Sequence, residues 1–194
     1  MSALLPAIAI ARHLGLTHEQ ILEKLPTTQF EPGRMNPIPG IKGSLIIDSS
    51  YNAAPASMSA ALDVLAEFHP AEQARRIAVL GHMAELGQYN EQEHRMLGLK
   101  VGEVGVDLLL TVGELARDIR RGAIEAGIPE EHTQHFDSPL SAGRWLDREI
   151  HKGDIVLVKG SQSARTEKIV KDIMAEPLRA PELLVRQSEY WIQT

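Results

Sequence analysis

Residues 43–58 read GSLIIDSSYNAAPASM, and this stretch decides the fold. A short apolar run, Leu45 to Ile47, leads into a polar turn. Pro55 then stands where a helix would begin, because proline suits the first helical turn. The same pattern of a short apolar run, typical of a buried strand, returns three times. These further runs lie at residues 77–80, 108–112 and 155–158.

The segments between the apolar runs have the periodicity of amphipathic helices, at about residues 56–68, 91–104, 114–126 and 138–150. Alternating strands and helices form a mostly parallel sheet, because parallel neighbours need a long crossover connection. The pattern therefore predicts an α/β fold, a Rossmann-like sheet with helices on both faces. Such sheets bind ligands in the crevice beyond the carboxyl ends of their strands, so functional residues are expected there.

Two short helices are predicted before the sheet, at residues 3–15 and 17–25, with Thr17 capping the second. The stretch from Pro26 to Gly43 is rich in proline and glycine, which predicts a connector without regular structure. The predicted domains are therefore a helical segment with its connector, a Rossmann-like domain, and a tail that is either a lid or packed on the domain edge. Their bounds are residues 1–42, 43–176 and 177–194.

Composition narrows the class of protein. The 194 residues, 43% of them hydrophobic, suffice for one packed core with a short attachment. Cysteine is absent and no apolar run is long enough to span a membrane, so the chain is expected to be cytoplasmic and not to bind a membrane. A net charge of -6 and only 4% aromatic residues argue against nucleic-acid binding.

The polar turn after the first strand is the first candidate site. Tyr51 and Asn52 offer an aromatic ring and an amide, which together can stack on a purine and hydrogen-bond to it. Ser49 precedes them at the end of the strand. The plainer interpretation, a turn that caps the next helix, is more common for such residues.

Two further strand ends carry polar residues. Glu85 lies in a loop bracketed by Gly81 and Gly87, and it could hold the ammonium of an amine substrate or be merely solvated. After the last strand, Lys159 and Ser161 form a small-residue turn that suits an anion. Lys159 either extends to solvent or faces a phosphate or carboxylate.

Other chemistries lack their signatures. His82 and His94 are the only histidines close to the loops, and no metal-ligand spacing is present, so no protein-built metal site is predicted. The sequence has neither the G-x-S-x-G of hydrolases nor a G-x-G-x-x-G after the first strand. Arg34, in the connector, is by itself an ordinary surface cation.

Four strings taken in order resemble the Mur ligases over nearly the whole chain. They are Gly33-Arg34-Met35, the segment 47–58, the segment 79–87, and Val158-Lys159-Gly160-Ser161-Gln162. Within the family, the strings are most similar to the members that add D-alanyl-D-alanine to a UDP-linked muramoyl peptide. Residues 1–40 resemble the end of the family's central ATPase domain.

The resemblance implies ATP-driven amide formation in peptidoglycan precursor synthesis. ATP, with Mg²⁺, would phosphorylate a carboxylate of UDP-MurNAc-tripeptide, and D-alanyl-D-alanine would attack the acyl phosphate. Arg34, Ser49, Tyr51 and Asn52 would lie near the nucleotide, and Glu85, Lys159 and Ser161 near the incoming dipeptide. No catalytic residue is assigned.

Three positions depart from the family pattern, because Ser49, His82 and Gln162 stand where Asp, Asp and Arg are usual. Each change removes a charge near the implied substrates. The family's phosphate-binding Gly-Lys-Thr/Ser loop is also absent from this sequence. The chain is therefore expected to be part of a larger or split enzyme, inactive alone, whose partners include the N-terminal and central domains.

Two alternatives stay open at this point. One is another amide ligase of the same superfamily, such as a folylpolyglutamate or cyanophycin synthetase. The other is a stand-alone Rossmann-like module that binds a small anionic ligand. A module should fold without help, whereas a fragment should leave the apolar face of residues 1–30 without its partner.

Overall fold

The computed structural model describes residues 4–24 and 30–193. The chain divides into two compact units, residues 1–30 and 31–194. Its elements in order are α1 (Leu4–His13), α2 (His18–Lys24), β1 (Asn36–Pro39), β2 (Leu45–Ser49), α3 (Pro55–Ala66), β3 (Arg76–Gly81), α4 (Asn90–Glu103), β4 (Leu108–Val112), α5 (Arg117–Glu125), β5 (Thr133–Phe136), α6 (Pro139–Glu149), β6 (Ile155–Lys159), α7 (Glu167–Ile173), α8 (Ala180–Leu183) and α9 (Glu189–Gln193).

The smaller unit contains the two predicted helices, α1 and α2. Thr17 and Gln20 cap α2 reciprocally, since the N–H of Thr17 donates to Gln20 Oε1 at 2.8 Å and the N–H of Gln20 to Thr17 Oγ1 at 3.3 Å. This pair satisfies donors that the first helical turn leaves unpaired. The predicted cap at Thr17 is confirmed.

The larger unit contains one six-stranded sheet in the order β1-β2-β6-β3-β4-β5. Strand β1 is antiparallel to β2, and all the other neighbours are parallel. The four predicted strands and the helices between them are present with small shifts of their ends. The predicted Rossmann-like α/β class is confirmed.

Helices cover both faces of the sheet. Alternate residues of each strand point to opposite faces, so each strand contributes side chains to both sides. Ile47, Leu80 and Leu157 pack on one face in a cluster with residues of α3, α4 and α5. Ile46 and Val158 pack on the other face in a cluster with residues of α6 and α7. The strands are apolar throughout because neither face is open to water.

The connector departs from its prediction. Residues 36–39 form an edge strand, in which Asn36 and Ile38 are buried and the two prolines, Pro37 and Pro39, are exposed. Prolines are tolerated on an edge strand, where the missing N–H breaks no ladder bond. Residues 26–29 of the predicted connector, and Leu25 at the end of the second predicted helix, lie outside the described residues. Residues 31–42 belong to the larger unit, and the division into three functional domains stays a prediction.

The sequence-based expectation also lacks β5, α7 and the two short helices of the tail, α8 and α9. Strand β5 is short and polar, with only Thr133 buried, so no apolar run marks it. Helix α7 follows directly on the turn after β6. The predicted helix at 114–126 begins with a single 3-10 turn at Glu114–Ala116 and continues as α5.

Candidate functional site

The site lies at the carboxyl edge of the sheet, where three neighbouring strands end. Lys159, at the end of β6, is in register with Ser49 of β2 and with Leu80 of β3. Parallel strands end at the same edge, so the loops that follow all three converge there. This sheet order brings together the three predicted site segments, which are far apart in the sequence.

The edge has the form of a topological switch point. From β3 the chain passes to α4 on one face, and from the adjacent β6 it passes to α7 on the other. Loops that leave neighbouring strands toward opposite faces open a crevice between them. The segments expected to border it are residues 82–87 and 160–166.

The turn after β2 is held by a buried carboxylate. Asp48 is fully buried, and its two oxygens accept hydrogen bonds from the N–H groups of Gly33 and Ser50, each at 3.0 Å. Burial raises the pKa of Asp48, although the bonds from Ser50 and Gly33 act in the opposite direction. The N–H of Tyr51 also donates to Gly33 O at 3.0 Å. The connector and the turn are therefore fastened together beside Arg34.

Lys159 lies beneath the same turn. Its side chain is buried, with 5% of the residue exposed, and Nζ donates to Ser49 Oγ at 3.2 Å and to Asn52 O at 2.8 Å. Burial lowers the pKa of Lys159 to about 8, and the nearby charge of Arg34 acts in the same direction. An extension to bulk solvent, one of the two alternatives for this lysine, is therefore excluded.

Arg34 and Tyr51 stack at the mouth of the turn. The guanidinium carbon lies 4.1 Å from the centroid of the tyrosine ring, a cation–π distance. Tyr51 is 45% exposed, and the neighbouring Asn52 is also exposed. An exposed aromatic ring stacked with a guanidinium, and an exposed amide on the next residue, thus lie on the same turn.

The two sides of the crevice are linked through a histidine and two serines. His82 Nε2 is hydrogen-bonded to Ser163 Oγ at 2.8 Å, and Ser163 Oγ lies 3.2 Å from Ser161 Oγ. Burial lowers the pKa of His82, and the neighbouring His94 acts in the same direction. The N–H of Ser161 donates to His82 O at 2.9 Å. That N–H is therefore not available to an anion.

His94, on α4, fixes the beginning of the loop after β3. The N–H of Met83 donates to His94 Nε2 at 2.8 Å, so this nitrogen is an acceptor and carries no proton. Nδ1 is therefore the protonated nitrogen, and it lies 2.7 Å from Asn90 O. His94 is fully buried, and burial lowers its pKa, which favours the neutral ring that the two hydrogen bonds need.

Glu85 lies further along this loop, exposed, with a positive φ of 65°. The structure thus places Arg34, Tyr51, Ser49, Asn52 and Lys159 in one contiguous group. It places Ser161 in a second group with His82, and Glu85 on the loop rim. The binding roles of all seven residues stay predictions.

Two glycines allow the strand ends to approach each other. A Cβ atom on Gly81 would lie 2.7 Å from Ala164 Cβ, and one on Gly160 would lie 2.9 Å from Thr166 Cγ2. Real Cβ atoms do not approach so closely, so the turn after β6 could not lie across β3 if either glycine were alanine. The crevice depends on these two positions.

Sequence reasoning missed several residues of this edge. Asp48 and His94 are among them, and so is a buried group of three charges on the far side of the turn, Arg165, Glu167 and Arg186. A carboxylate directly after the apolar run 45–47 is a signal that could have identified Asp48. No motif marks the others, because their roles depend on contacts that the fold creates, such as those of Met83 with His94 and of Ser50 with Arg186.

Comparison with known proteins agrees with this geometry. The family model described as "Mur ligase, glutamate ligase domain" matches residues 33–162, which include the second part of the connector, the strand ends of the site, the loop at 82–87 and the beginning of the turn after β6. The chain belongs to the Mur ligase family. Among the residues described here, no helix is long and apolar enough to cross a membrane, and no three metal-binding side chains cluster.

Two relatives of this Mur ligase chain carry the same name. The UDP-N-acetylmuramoyl-tripeptide--D-alanyl-D-alanine ligase of Synechocystis is 37% identical over 172 residues, which are 89% of this chain and 36% of the relative. The Escherichia coli ligase of the same name is 34% identical, over 86% of this chain and 35% of the relative. The chain thus spans about a third of the length of the curated relatives that it matches.

Solved structures show the same fold. A MurF structure from Acinetobacter baumannii superposes with a TM-score of 0.69 at 30% identity, over 86% of this chain and 35% of that one. The MurF ligase from Thermotoga maritima in complex with ADP gives a TM-score of 0.67 at 27% identity, over 85% and 35%. The Rossmann-like sheet of this chain is therefore the fold of the matching third of these ligases.

Proposed function

We propose that the chain is the C-terminal portion of an ATP-dependent ligase that adds D-alanyl-D-alanine to UDP-MurNAc-tripeptide in the cytoplasm. The observation that carries the proposal is the convergence of three separate segments on one sheet edge, each with the residue types that the reaction needs. The names of the relatives support the same substrates. Residues 1–30 would then be the end of the preceding ATPase domain.

The turn after β2 suits a nucleotide. Tyr51 offers a half-exposed ring, Asn52 an exposed amide, and Arg34 a cation stacked on the Tyr51 ring. These groups can stack on a base, hydrogen-bond to its edge and neutralise a phosphate. ATP would supply the phosphoryl group that activates the peptide carboxylate. Its phosphates and Mg²⁺ would be held mainly by the preceding domain, because this sequence has no phosphate-binding loop.

The crevice suits the incoming dipeptide. Glu85 on the rim can pair with an ammonium, and Ser161 can hydrogen-bond to a peptide group. Lys159, whose ammonium already binds Ser49 and Asn52, would join the substrate side to the nucleotide side. Enclosure between two loops would keep water away from a reactive acyl phosphate. Closure of this domain on the ATPase domain would complete the site.

The first test measures ATP-dependent phosphate release in the presence of Mg²⁺, UDP-MurNAc-tripeptide and D-alanyl-D-alanine. We expect no turnover from the purified chain alone, and turnover when the chain is joined to the preceding ATPase region. Turnover by the chain alone would contradict this division of labour. If the joined protein turned over only with a different acceptor, such as a folate or glutamate chain, the other amide ligases would be favoured.

The second test concerns the dipeptide in the joined protein. Glu85→Gln should raise the KM for D-alanyl-D-alanine about tenfold, because one charge-assisted hydrogen bond contributes about 1.5–3 kcal/mol. The KM for ATP should stay unchanged. Glu114→Gln, another exposed carboxylate beyond a strand end, is the matched control. An unchanged KM for the dipeptide would remove Glu85 from the site.

A further inference from the structure

The segment after α8 lies against the turn that carries Tyr51. We call residues 184–188 the C-terminal strap. Leu184 is buried in the core cluster of the α6 and α7 face. A Cβ atom built on Gly33 would lie 2.9 Å from Val185 Cγ1 and 2.9 Å from Tyr51 N, so the strap, the connector and the turn are in close contact.

The side chain of Arg186, in the strap, binds backbone carbonyls of the turn after β2. Its Nη1 donates to Tyr51 O at 3.2 Å, and its Nη2 donates to Ser50 O. The N–H groups of these two residues are already used by Gly33 O and Asp48 Oδ1. With both carbonyls and both N–H groups bonded, the backbone of the turn is fixed on both sides.

The same guanidinium reaches a second element. Arg186 Nη2 lies 3.0 Å from Glu167 Oε2, and Arg165 Nε lies 2.7 Å from Glu167 Oε1. The Glu167 carboxylate is 1% exposed and the Arg186 side chain 6% exposed. Two guanidinium groups share one buried carboxylate, and the carbonyls of the turn accept hydrogen bonds from Nη1 and Nη2 of Arg186, whose buried Nε has no partner among the described residues. A single residue thus joins the turn after β2 to the beginning of α7, beyond the crevice.

Two features indicate that this arrangement is imposed by its surroundings. Arg165 and Arg186 both have left-handed backbone conformations, with φ of 52° and 58°. Non-glycine residues adopt this region at a cost, and they keep it where neighbouring contacts determine it. The end of the chain is fastened to the same group, because Arg165 Nη2 donates to Trp191 O at 2.6 Å and lies over the Trp191 ring.

We propose that Arg186 is a positioning residue for the nucleotide turn. It holds Tyr51 and Asn52 in their binding geometry and couples that turn, through Glu167, to the segment that bounds the crevice. The inference rests on the proposed function for the identity of the ligand. The mechanical part, the fixing of residues 50–52 by the strap, stands on contacts within this chain.

The mechanical part is tested by hydrogen exchange in the chain itself. Arg186→Gln should accelerate exchange of the Ser50 and Tyr51 amides about tenfold or more, while the amides of α4 and α5 keep their rates. Arg186→Lys keeps the charge beside Glu167 but cannot span both carbonyls, so it should give an intermediate rate. Arg179→Gln, which removes an exposed pair with Glu182, is the control. Unchanged rates at Ser50 and Tyr51 in the Gln and Lys variants would overturn the proposal.

The functional part is tested with ADP and the ligase that includes the ATPase region. Arg186→Gln should weaken ADP binding about tenfold, measured well below the unfolding temperature, with the KM for D-alanyl-D-alanine changed less. A variant that is less stable but binds ADP normally would make Arg186 purely structural and overturn the proposal. If the wild-type ligase did not bind ADP, the proposed function would fail, while the exchange experiment would still decide the role of the strap.

Discussion

The charged form of the buried Lys159 side chain destabilises the folded protein. It gains two hydrogen bonds, but burial and Arg34 together lower its pKa from 10.5 to about 8. Such a penalty is tolerated at sites where the charge serves a ligand, because an anion restores what desolvation removed. The position of Lys159 between the nucleotide turn and the crevice fits that role.

This penalty has a measurable dependence on pH. Below pH 8 the lysine is protonated in both states, and the full cost is present. As pH rises from about 8 to 10.5, the folded state releases its proton first and the cost disappears. The free energy of unfolding of the wild type, relative to Lys159→Met, should therefore rise over this range by roughly 3 kcal/mol.

Denaturant titrations at several pH values provide the measurement. Lys152→Met, which removes an exposed ammonium, is the matched control. If the difference in free energy of unfolding between wild type and Lys159→Met stayed constant from pH 7.5 to 10.5, the charge on Lys159 would not destabilise the folded state. Binding of a phosphate-bearing ligand should move the rise to higher pH.

For His94, the predicted change in the free energy of unfolding occurs when the pH is lowered rather than raised. Its neutral ring accepts from Met83 and donates to Asn90, and burial lowers its pKa from 6.5. Above pH 6.5 the ring is neutral in both states. As pH falls below 6.5, the unfolded chain takes up the proton first, so native stability contributed by His94 is lost.

We therefore expect His94→Gln to cost about 1–3 kcal/mol at pH 8, since two buried hydrogen bonds are weakened. The difference from wild type should become smaller as pH falls below 6.5. Chemical unfolding at pH 8 and pH 5.5 measures it, with the exposed His151→Gln as control. If His94→Gln lowered the free energy of unfolding equally at both pH values, the fold would not be keeping the His94 ring neutral.

At the scale of elements, the closest packing is the crossing of α4 and α5. A Cβ atom on Gly98 would lie 2.1 Å from Ile119 O, and one on Gly122 would lie 2.1 Å from Arg95 O. The obstacles are backbone atoms, which cannot rotate away. The two helices therefore approach each other only because both positions lack a side chain.

Gly122→Ala should accordingly destabilise the protein. In an unconstrained helix this change is favourable by up to about 1 kcal/mol, but here overpacking should reverse the sign and cost about 1–3 kcal/mol. Gly143→Ala is the comparison, because the nearest atom there is the carboxylate of Asp172, an exposed side chain that can move. We expect a smaller cost at Gly143. A stabilised Gly122→Ala variant would show that the crossing is looser than the structure indicates.

Elements also differ in how far the sequence predicts them. The strands at 77–80 and 108–112 are apolar because both of their faces are buried, so composition reveals them. Strands β1 and β5 are edge strands, where prolines and polar residues are accepted, and neither contains an apolar run. Their pairing partners, rather than their own residues, make them strands.

At the scale of the whole molecule, the two compact units should be separable. The core clusters that hold the sheet lie entirely within residues 31–194. In the smaller unit, Ile10, Leu14 and Leu22 are 60%, 72% and 50% exposed. Exposed apolar side chains of this kind favour self-association.

Removal of residues 1–30 should therefore leave the unfolding midpoint of the remainder within a few degrees of its original value, and it should reduce self-association at high concentration. Calorimetry and light scattering measure the two effects. The substitution Leu14→Ser in the full chain is a milder control that should reduce association alone. Loss of cooperative unfolding on deletion would show that the sheet unit depends on the helices.

The sequence alone determined the alternation of strands and helices, the Rossmann-like class and the positions of the polar strand ends, because burial on both faces leaves a local signature in composition. It also placed Tyr51, Asn52, Glu85 and Lys159 at strand ends. Only the tertiary structure decided the strand order and the partners of Asp48, His94 and Arg186. Several of these contacts, such as those of Gly33 with Asp48 and of Ser50 with Arg186, join segments distant in the chain. No local pattern encodes which buried charge will meet which backbone group.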